Sequence, residues 1–130
     1  MNTLLPIFKA LADRNRLRIF GALLFFNELC ACQITELLQI SGATASRHLG
    51  IMINAGLIES RKDGRWIYYK LHDPPQSFAP VRAWIKTEFT KAAEIQADRK
   101  QLEKILSCGQ EEICRRQRDK NPCSKRIKNK

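Results

Sequence analysis

Residues 29–71 read LCACQITELLQISGATASRHLGIMINAGLIESRKDGRWIYYKL, and this stretch determines the fold. Apolar residues at helical spacing predict a short helix over 34–40 and a second over 43–56, separated by a break at Ser41-Gly42. Gly56 stands where a left-handed C-terminal cap is expected. Two helices joined by a short turn that contains glycine are typical of a helix-turn-helix, whose second helix reads DNA.

A β-hairpin is predicted directly after the second helix. Residues 58–60 and 66–71 have strand character, and the segment between them contains Asp63-Gly64, a dipeptide that readily accepts positive φ. The sequence therefore predicts a mainly α protein with a small β-hairpin wing, which is a winged helix-turn-helix.

Helices are also predicted on both sides of this unit. Thr3 and Asp13 are expected to cap two N-terminal helices. A single last helix of about 28 residues, beginning near Ser77, carries an apolar stripe about 42 Å long. Because such a stripe exceeds what a core this small covers, we expect a homodimer through the terminal helices. The predicted domains are residues 1–106 for DNA binding and dimerisation and residues 107–130 for a basic, flexible tail that contains cysteine.

The net charge of +10 favours a polyanionic partner. Residues 115–130 hold eight Lys/Arg and one Asp, so +7 lies there and +3 in residues 1–114. Two interpretations of this basic segment remain open, a solvated terminus and an arm that adds DNA affinity.

No secretory or membrane pattern is evident, so a cytoplasmic location is expected. The N-terminal residues MNTLLPIFKA lack the basic start and long apolar core of a signal peptide. The longest apolar run, Ile19–Phe26, is far shorter than the roughly 20 residues that span a bilayer. Five cysteines without a secretory signal indicate reduced thiols for metal binding or redox chemistry.

Several motifs in order resemble the ArsR/SmtB family of bacterial metalloregulatory repressors over about residues 7–71. The residues that carry the resemblance are Phe8-Lys9-Ala10-Leu11-Ala12-Asp13, Arg16-Leu17-Arg18-Ile19, Glu28-Leu29-Cys30-Ala31-Cys32, Ser46-Arg47-His48-Leu49, Ala55-Gly56-Leu57-Ile58 and Arg61-Lys62-Asp63-Gly64-Arg65-Trp66. The resemblance implies a homodimeric repressor that leaves its inverted-repeat operator when a toxic metal or metalloid binds. Within the family, a Cys-x-Cys at the start of the third helix resembles the arsenite-responsive site.

Cys30 and Cys32 are the candidate ligands. Two residues on an α-helix lie about 200° apart, so both thiols can hold one ion only if the start of the helix is not helical. Trivalent arsenic and antimony favour such soft thiolates. A binding event there would pull on the helix that positions the recognition helix. The alternative is a pair of buried structural cysteines.

The third ligand is left open by the sequence. A familiar version of the motif has another cysteine three residues after Cys32, where this chain has Thr35. The remaining thiols, Cys108, Cys114 and Cys123, are the candidates. The last helix has no histidine, which argues against the family's His-carboxylate zinc or nickel site.

DNA contacts are predicted at two places. Thr44, Ser46, Arg47 and His48 lie in the first turns of the recognition helix, although His48 is expected to touch either DNA or a neighbouring helix. On the wing, the candidates are Arg61, Lys62 and Arg65.

Three other functions stay open. The same scaffold serves a repressor that senses thiol redox state or sulfur, with Cys30 or Cys32 paired to Cys108 or Cys114, or one that senses another soft metal such as cadmium or lead. A ligand-independent architectural or protein-binding winged helix is the alternative of another class. No phosphate-cradling loop, metalloprotease motif or Ser/His/Asp set is recognisable, so an enzyme is not expected.

Overall fold

The computed structural model describes residues 4–72 and 79–109, together with Ile113 and Gln117. The elements, in chain order, are α1 (Leu4–Leu11), α2 (Arg14–Phe25), β1 (Leu29–Cys30), α3 (Ala31–Leu38), α4 (Gly42–Asn54), β2 (Ile58–Asp63), β3 (Trp66–Leu71), α5 (Ala79–Lys91) and α6 (Ala93–Leu106). The predicted cap at Thr3, the start near Ser77, Cys114, Cys123 and most of the predicted tail lie outside the described residues. Within the described ranges, no helix is both long and apolar enough to cross a bilayer.

The turn between α1 and α2 forms as the sequence predicts. The side chain of Asp13 accepts a hydrogen bond from the backbone N–H of Arg16 at 3.1 Å, which caps α2. Arg16 in turn donates from Nε to the carbonyl of Ala10, at 2.6 Å. The side chain of Arg16 thus donates to a carbonyl in the last turn of α1, while its backbone N–H is capped at the start of α2.

The helix-turn-helix consists of α3 and α4. Helix α3 ends at Gln39, which adopts the left-handed conformation with φ 55°, and Ser41 caps α4 by accepting from the N–H of Thr44. The apolar residues that give these two segments their helical spacing are buried: Ile34, Leu37 and Leu38 on α3, and Ala45, Leu49 and Met52 on α4. Gly56 has φ 79°, as expected of a left-handed C-terminal position.

The wing, which comprises β2, β3 and their turn (residues 58–71), belongs to a three-stranded antiparallel sheet of order β1-β3-β2. The hairpin pairs Ile58 with Leu71 and Asp63 with Trp66, around a turn in which Gly64 has φ 62°. Strand β1 was not predicted, because two residues carry no alternating pattern. It attaches the wing to the residues that precede α3. The winged helix-turn-helix prediction is confirmed, with a third strand added to the hairpin.

The prediction of a single long last helix is wrong. The chain breaks at Ala92, whose ψ of 122° is extended, and divides into α5 and α6. Gln96 stabilises the break by donating from Nε2 to the carbonyl of Thr90 at 3.0 Å. The break allows Phe89 of α5 and Ile95 of α6 to contact α2 at the same place, where Gly21 leaves room for them.

Helix α6 is bound to the body of the protein by ion pairs. Arg18 of α2 makes two hydrogen bonds to Asp98 of α6, at 2.9 and 3.0 Å, and Asp98 is buried. Beyond the end of α6 at Leu106, Ile113 is fully buried in the main core. The predicted tail therefore contributes at least one core residue.

Candidate thiol site and nucleic-acid interface

Cys30 and Cys32 lie on opposite sides of the junction between β1 and α3. Cys30 is the last residue of β1 and the N-cap of α3, with extended backbone at φ −84° and ψ 160°, whereas Cys32 is helical. The change of conformation between them turns both side chains to one side. Their Sγ atoms are 2.8 Å apart. The geometric condition set by the sequence, that the first cysteine must not be helical, is met.

The junction is held in place by Gln33. Its side-chain oxygen accepts a hydrogen bond from the backbone N–H of Cys30 at 2.8 Å, which gives this buried donor a partner. Gln33 is itself buried. On the next turn, the hydroxyl of Thr35 donates to the carbonyl of Ala31. Thr35 therefore packs the helix at the position where a third cysteine stands in the familiar motif.

The thiol pair is buried, yet the pKa of Cys30 is lowered. Cys30 is 1% exposed and Cys32 7% exposed. The hydrogen bond from Cys32 lowers the pKa of Cys30 to about 7, against the opposing effect of burial, and backbone donors at Gln33 and Cys32 add to the shift. A substantial fraction of Cys30 is therefore thiolate near neutral pH, the form that binds soft ions and attacks electrophiles.

A third ligand is not found within the described part of the chain. There, no group of three His, Cys, Asp or Glu side chains is placed to hold a metal ion. Cys108 is half-buried and packs against the main core. Cys114 and Cys123 lie outside the described residues. The side chain of Gln117 donates to the carbonyl of Cys32 at 2.6 Å, so a residue of the C-terminal segment touches the thiol site.

The exposed face of α4 carries part of the predicted DNA-reading set. Ser46 and Arg47 are exposed, and the hydroxyl of Thr44 accepts a hydrogen bond from Ser41. His48 is only 6% exposed, and its Nδ1 lies 3.2 Å from an Arg16 nitrogen. Since arginine only donates, Nδ1 accepts this bond. His48 thus touches the neighbouring helix, the second of its two predicted environments.

The wing presents its three predicted basic residues at the surface, in different surroundings. Lys62 is exposed, and Arg65 lies over the ring of Trp66 at 4.9 Å. Arg61 makes two hydrogen bonds of 2.8 Å with the carboxylate of Glu28, which raises the pKa of Arg61.

Sequence reasoning missed Glu28 and Gln33. Glu28 acts across the sheet, so its role depends on the unpredicted strand β1. Gln33 stands three residues after Cys30, the spacing of a capping box. That spacing is a signal in the sequence, although cysteine is an unusual first member.

Comparisons with known proteins agree with this architecture. The family model described as "Bacterial regulatory protein, arsR family" matches residues 13–60. The "Cadmium resistance transcriptional regulatory protein CadC homolog" of Staphylococcus aureus is 42% identical over 67 residues, 52% of this chain and 55% of that protein. The "Arsenical resistance operon repressor" of Escherichia coli K12 is 44% identical over 73 residues, 55% of this chain and 62% of the relative. The chain thus spans little more than half the length of these two relatives.

Solved structures share the fold. Reduced HlyU from Vibrio cholerae has a TM-score of 0.60 at 27% identity, covering 71% of this chain and 90% of that one. The homodimeric winged helix-turn-helix domain of Mb0332 from Mycobacterium bovis has a TM-score of 0.57 at 27% identity, covering 66% and 77%.

An HTH-type transcriptional regulator of Methanocaldococcus jannaschii is covered more fully. It is 39% identical over 67 residues, which are 52% of this chain and 75% of that protein. This match extends over three quarters of that relative. The family model spans α2 to β2 and includes both Cys30 and Cys32. The chain belongs to the arsR family of bacterial regulatory proteins.

Proposed function

We propose that the protein is a homodimeric transcriptional repressor that releases its operator when trivalent arsenic or antimony binds Cys30 and Cys32. The observation that carries the proposal is the pair of Sγ atoms 2.8 Å apart at the β1–α3 junction. Two thiols this close can contact one small ion without unwinding α3. Soft thiolates suit trivalent arsenic, whereas hard cations such as magnesium prefer oxygen ligands.

The position of the pair supports a route from inducer to DNA. Cys30 caps α3, and α3 packs against α4, the recognition helix. A ligand that draws the two sulfurs into its own geometry acts on the first turn of α3. Such a ligand shifts the equilibrium between DNA-bound and free protein only if it binds these two states with different affinities. The geometry of the first turn of α3 must therefore differ between the two states.

DNA binding is proposed through α4 and the wing. Ser46 and Arg47 are exposed on α4, where major-groove contacts are made in helix-turn-helix proteins. Lys62 and Arg65 suit phosphate contacts. One recognition helix per chain, and the homodimer described for Mb0332, favour a two-fold dimer on an inverted repeat with half-sites about one helical turn apart.

The inducer is proposed from chemistry and from relatives together. The relatives include regulators named for arsenical resistance and for cadmium resistance, which support a soft metal or metalloid. Cys108, Cys114 and Cys123 remain the candidate third ligands, with Cys108 supplied by the second copy, because within one chain it forms no three-ligand group with Cys30 and Cys32. We expect their joint replacement by serine to cause a partial loss of arsenite sensitivity.

A second candidate function is a thiol redox response, favoured by the contact between Cys30 and Cys32 and the lowered pKa of Cys30. The Cys30 thiolate would attack a hydroperoxide and, with one proton from solvent, give a sulfenic acid and an alcohol. The Cys32 thiol would then displace water to close the disulfide.

The deciding experiment titrates operator complexes of the reduced protein with arsenite, and separately with a mild hydroperoxide. We expect Cys30→Ser and Cys32→Ser to bind DNA nearly as the wild type does and to lose release by arsenite, because a hydroxyl is a harder and less acidic ligand than a thiol. Thr35→Ser is the matched control. Release of both cysteine variants at the wild-type arsenite concentration would place the sensor elsewhere, and release by peroxide alone would favour the redox function.

A further inference from the structure

One row of residues crosses the three-stranded sheet from the thiol site to the wing. Cys30 of β1 is paired with Tyr68 of β3, and Tyr68 is paired with Arg61 of β2. The guanidinium of Arg61 lies over the Tyr68 ring, 4.5 Å from its centre. The same guanidinium also contacts the carboxylate of Glu28, which stands immediately before β1.

The Glu28–Arg61 pair uses the arginine's hydrogen-bonding fork. Nε of Arg61 donates to one carboxylate oxygen and Nη2 to the other, each at 2.8 Å. A second carboxylate, that of Asp63, lies 3.9 Å from Nη1. A phosphate requires the same planar fork for bidentate binding, so Glu28 and a DNA phosphate compete for one set of donors.

The pair is accessible to DNA and also anchored. The side chains are 53% exposed for Arg61 and 28% exposed for Glu28, so solvent reaches both. Glu28 is held in place by its chain neighbour Leu29, which is fully buried and paired with Tyr69. The backbone that carries Glu28 is therefore fixed beside Arg61.

We infer that Glu28 is a positioning residue that withholds Arg61 from the DNA backbone and so sets the wing's electrostatic contribution to operator binding. This inference rests on the DNA binding proposed above. With Glu28 ionised, the pair is neutral and adds little to the counterion release that drives binding. With Glu28 neutralised, Arg61 becomes available to one phosphate.

The test measures affinity for duplex DNA at several salt concentrations, using the full-length protein and both an operator and an unrelated duplex. Glu28→Gln keeps the size of the side chain and removes its charge. We expect it to bind both duplexes more tightly, by up to about fivefold, because the competing pair is exposed. The log–log salt slope should steepen by up to about 0.9, the value of one added phosphate contact.

Two further variants make the result specific. Arg61→Gln should change the slope little in the wild-type background and by up to about 0.9 in the Glu28→Gln background. Glu59→Gln is the matched control, because Glu59 pairs with Lys70 and His72 on the same sheet but away from β1. It should tighten binding far less than Glu28→Gln and leave the slope unchanged.

The outcomes separate this inference from the proposed function. Equal slopes for Glu28→Gln and Glu59→Gln, or an equal effect of Arg61→Gln in both backgrounds, would overturn the role of Glu28 while DNA binding stands. A wild-type protein that binds no duplex at all would overturn the proposed function, and this inference with it.

Discussion

Cys30 performs three tasks within one residue. It ends β1, it caps α3, and its sulfur contacts that of Cys32. Any ligand taken by this sulfur therefore acts at once on a strand that reaches the wing and on a helix that supports α4. In the proposed function, the thiol pair therefore needs no separate sensing domain to influence the DNA-binding surface.

Proton release should distinguish the two classes of inducer. Because the pKa of Cys30 is about 7, its thiol is protonated below that pH and largely ionised above it. A divalent cation must displace the proton, so cadmium affinity should fall as the pH drops below about 7. Neutral arsenous acid forms each As–S bond from a thiol with loss of water and no net proton. Arsenite affinity should therefore not fall over the same range.

Calorimetric titration at about pH 6 and about pH 8 measures both affinities. Cys30→Ser is the control, because the part of the pH dependence that comes from the Cys30 thiol should disappear in this variant. An arsenite affinity that weakens on acidification as much as the cadmium affinity would contradict this account of the site.

For single residues, the sequence predicted the features that depend on the spacing of nearby residues in the chain. The Cys-x-Cys pair, the Asp13 cap and the exposure of Arg47 follow from neighbours a few residues away. The partners of His48 and Arg61 did not follow, because Arg16 and Glu28 are 32 and 33 residues distant in the chain. Such contacts depend on how whole elements meet.

Among the elements, the break between α5 and α6 has the clearest consequence. A Cβ at Gly21 would lie 3.0 Å from two ring carbons of Phe89 and 3.3 Å from a methyl group of Ile95. These contacts are too close, and the two side chains come from opposite sides of the break. The missing side chain at Gly21 therefore permits the bent arrangement of the two helices on α2.

Gly21→Ala should destabilise the fold. Overpacking costs about 1–3 kcal/mol, and the better helix propensity of alanine returns up to about 1 kcal/mol, so we expect a net loss of about 1 kcal/mol. Thermal or urea unfolding measures it. Gly50→Ala is the control, since a Cβ there meets nothing within 4 Å and should be neutral or stabilising. Equal stability of the two variants would show that α5 shifts without cost.

The sequence could not locate this break. The apolar stripe continues through Ala92, and neither proline nor glycine marks the position. The extended ψ of Ala92 is imposed by the packing of Phe89 and Ile95 around α2, a tertiary effect that outweighs helix propensity. Strand β1 was missed for the related reason that its two residues become a strand only by pairing with β3.

For the whole molecule, the terminal helices expose apolar surface in the single chain. Leu4, Leu5 and Phe8 of α1 are about half exposed, and Trp84 of α5 is 63% exposed. Large apolar patches on a protein surface mark interaction sites, and Leu4, Leu5 and Phe8 lie on the same short helix. These residues are the ones we expect the second copy to bury in the proposed homodimer.

Trp84→Asp should therefore weaken the dimer, measured by sedimentation equilibrium at micromolar concentration. Burying a charge at an apolar interface without a partner is strongly unfavourable, so we expect a shift towards monomer and weaker operator binding. Ile67→Asp is the control and should leave the mass in solution unchanged, because Ile67 is also exposed but lies on the wing. A wild-type protein that is monomeric would contradict the dimer itself.

The uneven anchoring of the last two helices has a consequence for engineering. Helix α6 buries Ile95, Asp98, Leu102 and Ile105, whereas α5 buries only Ile85. The outward side chains of α5 are thus almost independent of the hydrophobic core. If α5 forms the interface of the proposed homodimer, versions of α5 with exchanged charges can be designed so that each version pairs only with itself. Two such proteins in one cell would then assemble separately, while Cys30 and Cys32 stay unchanged in both.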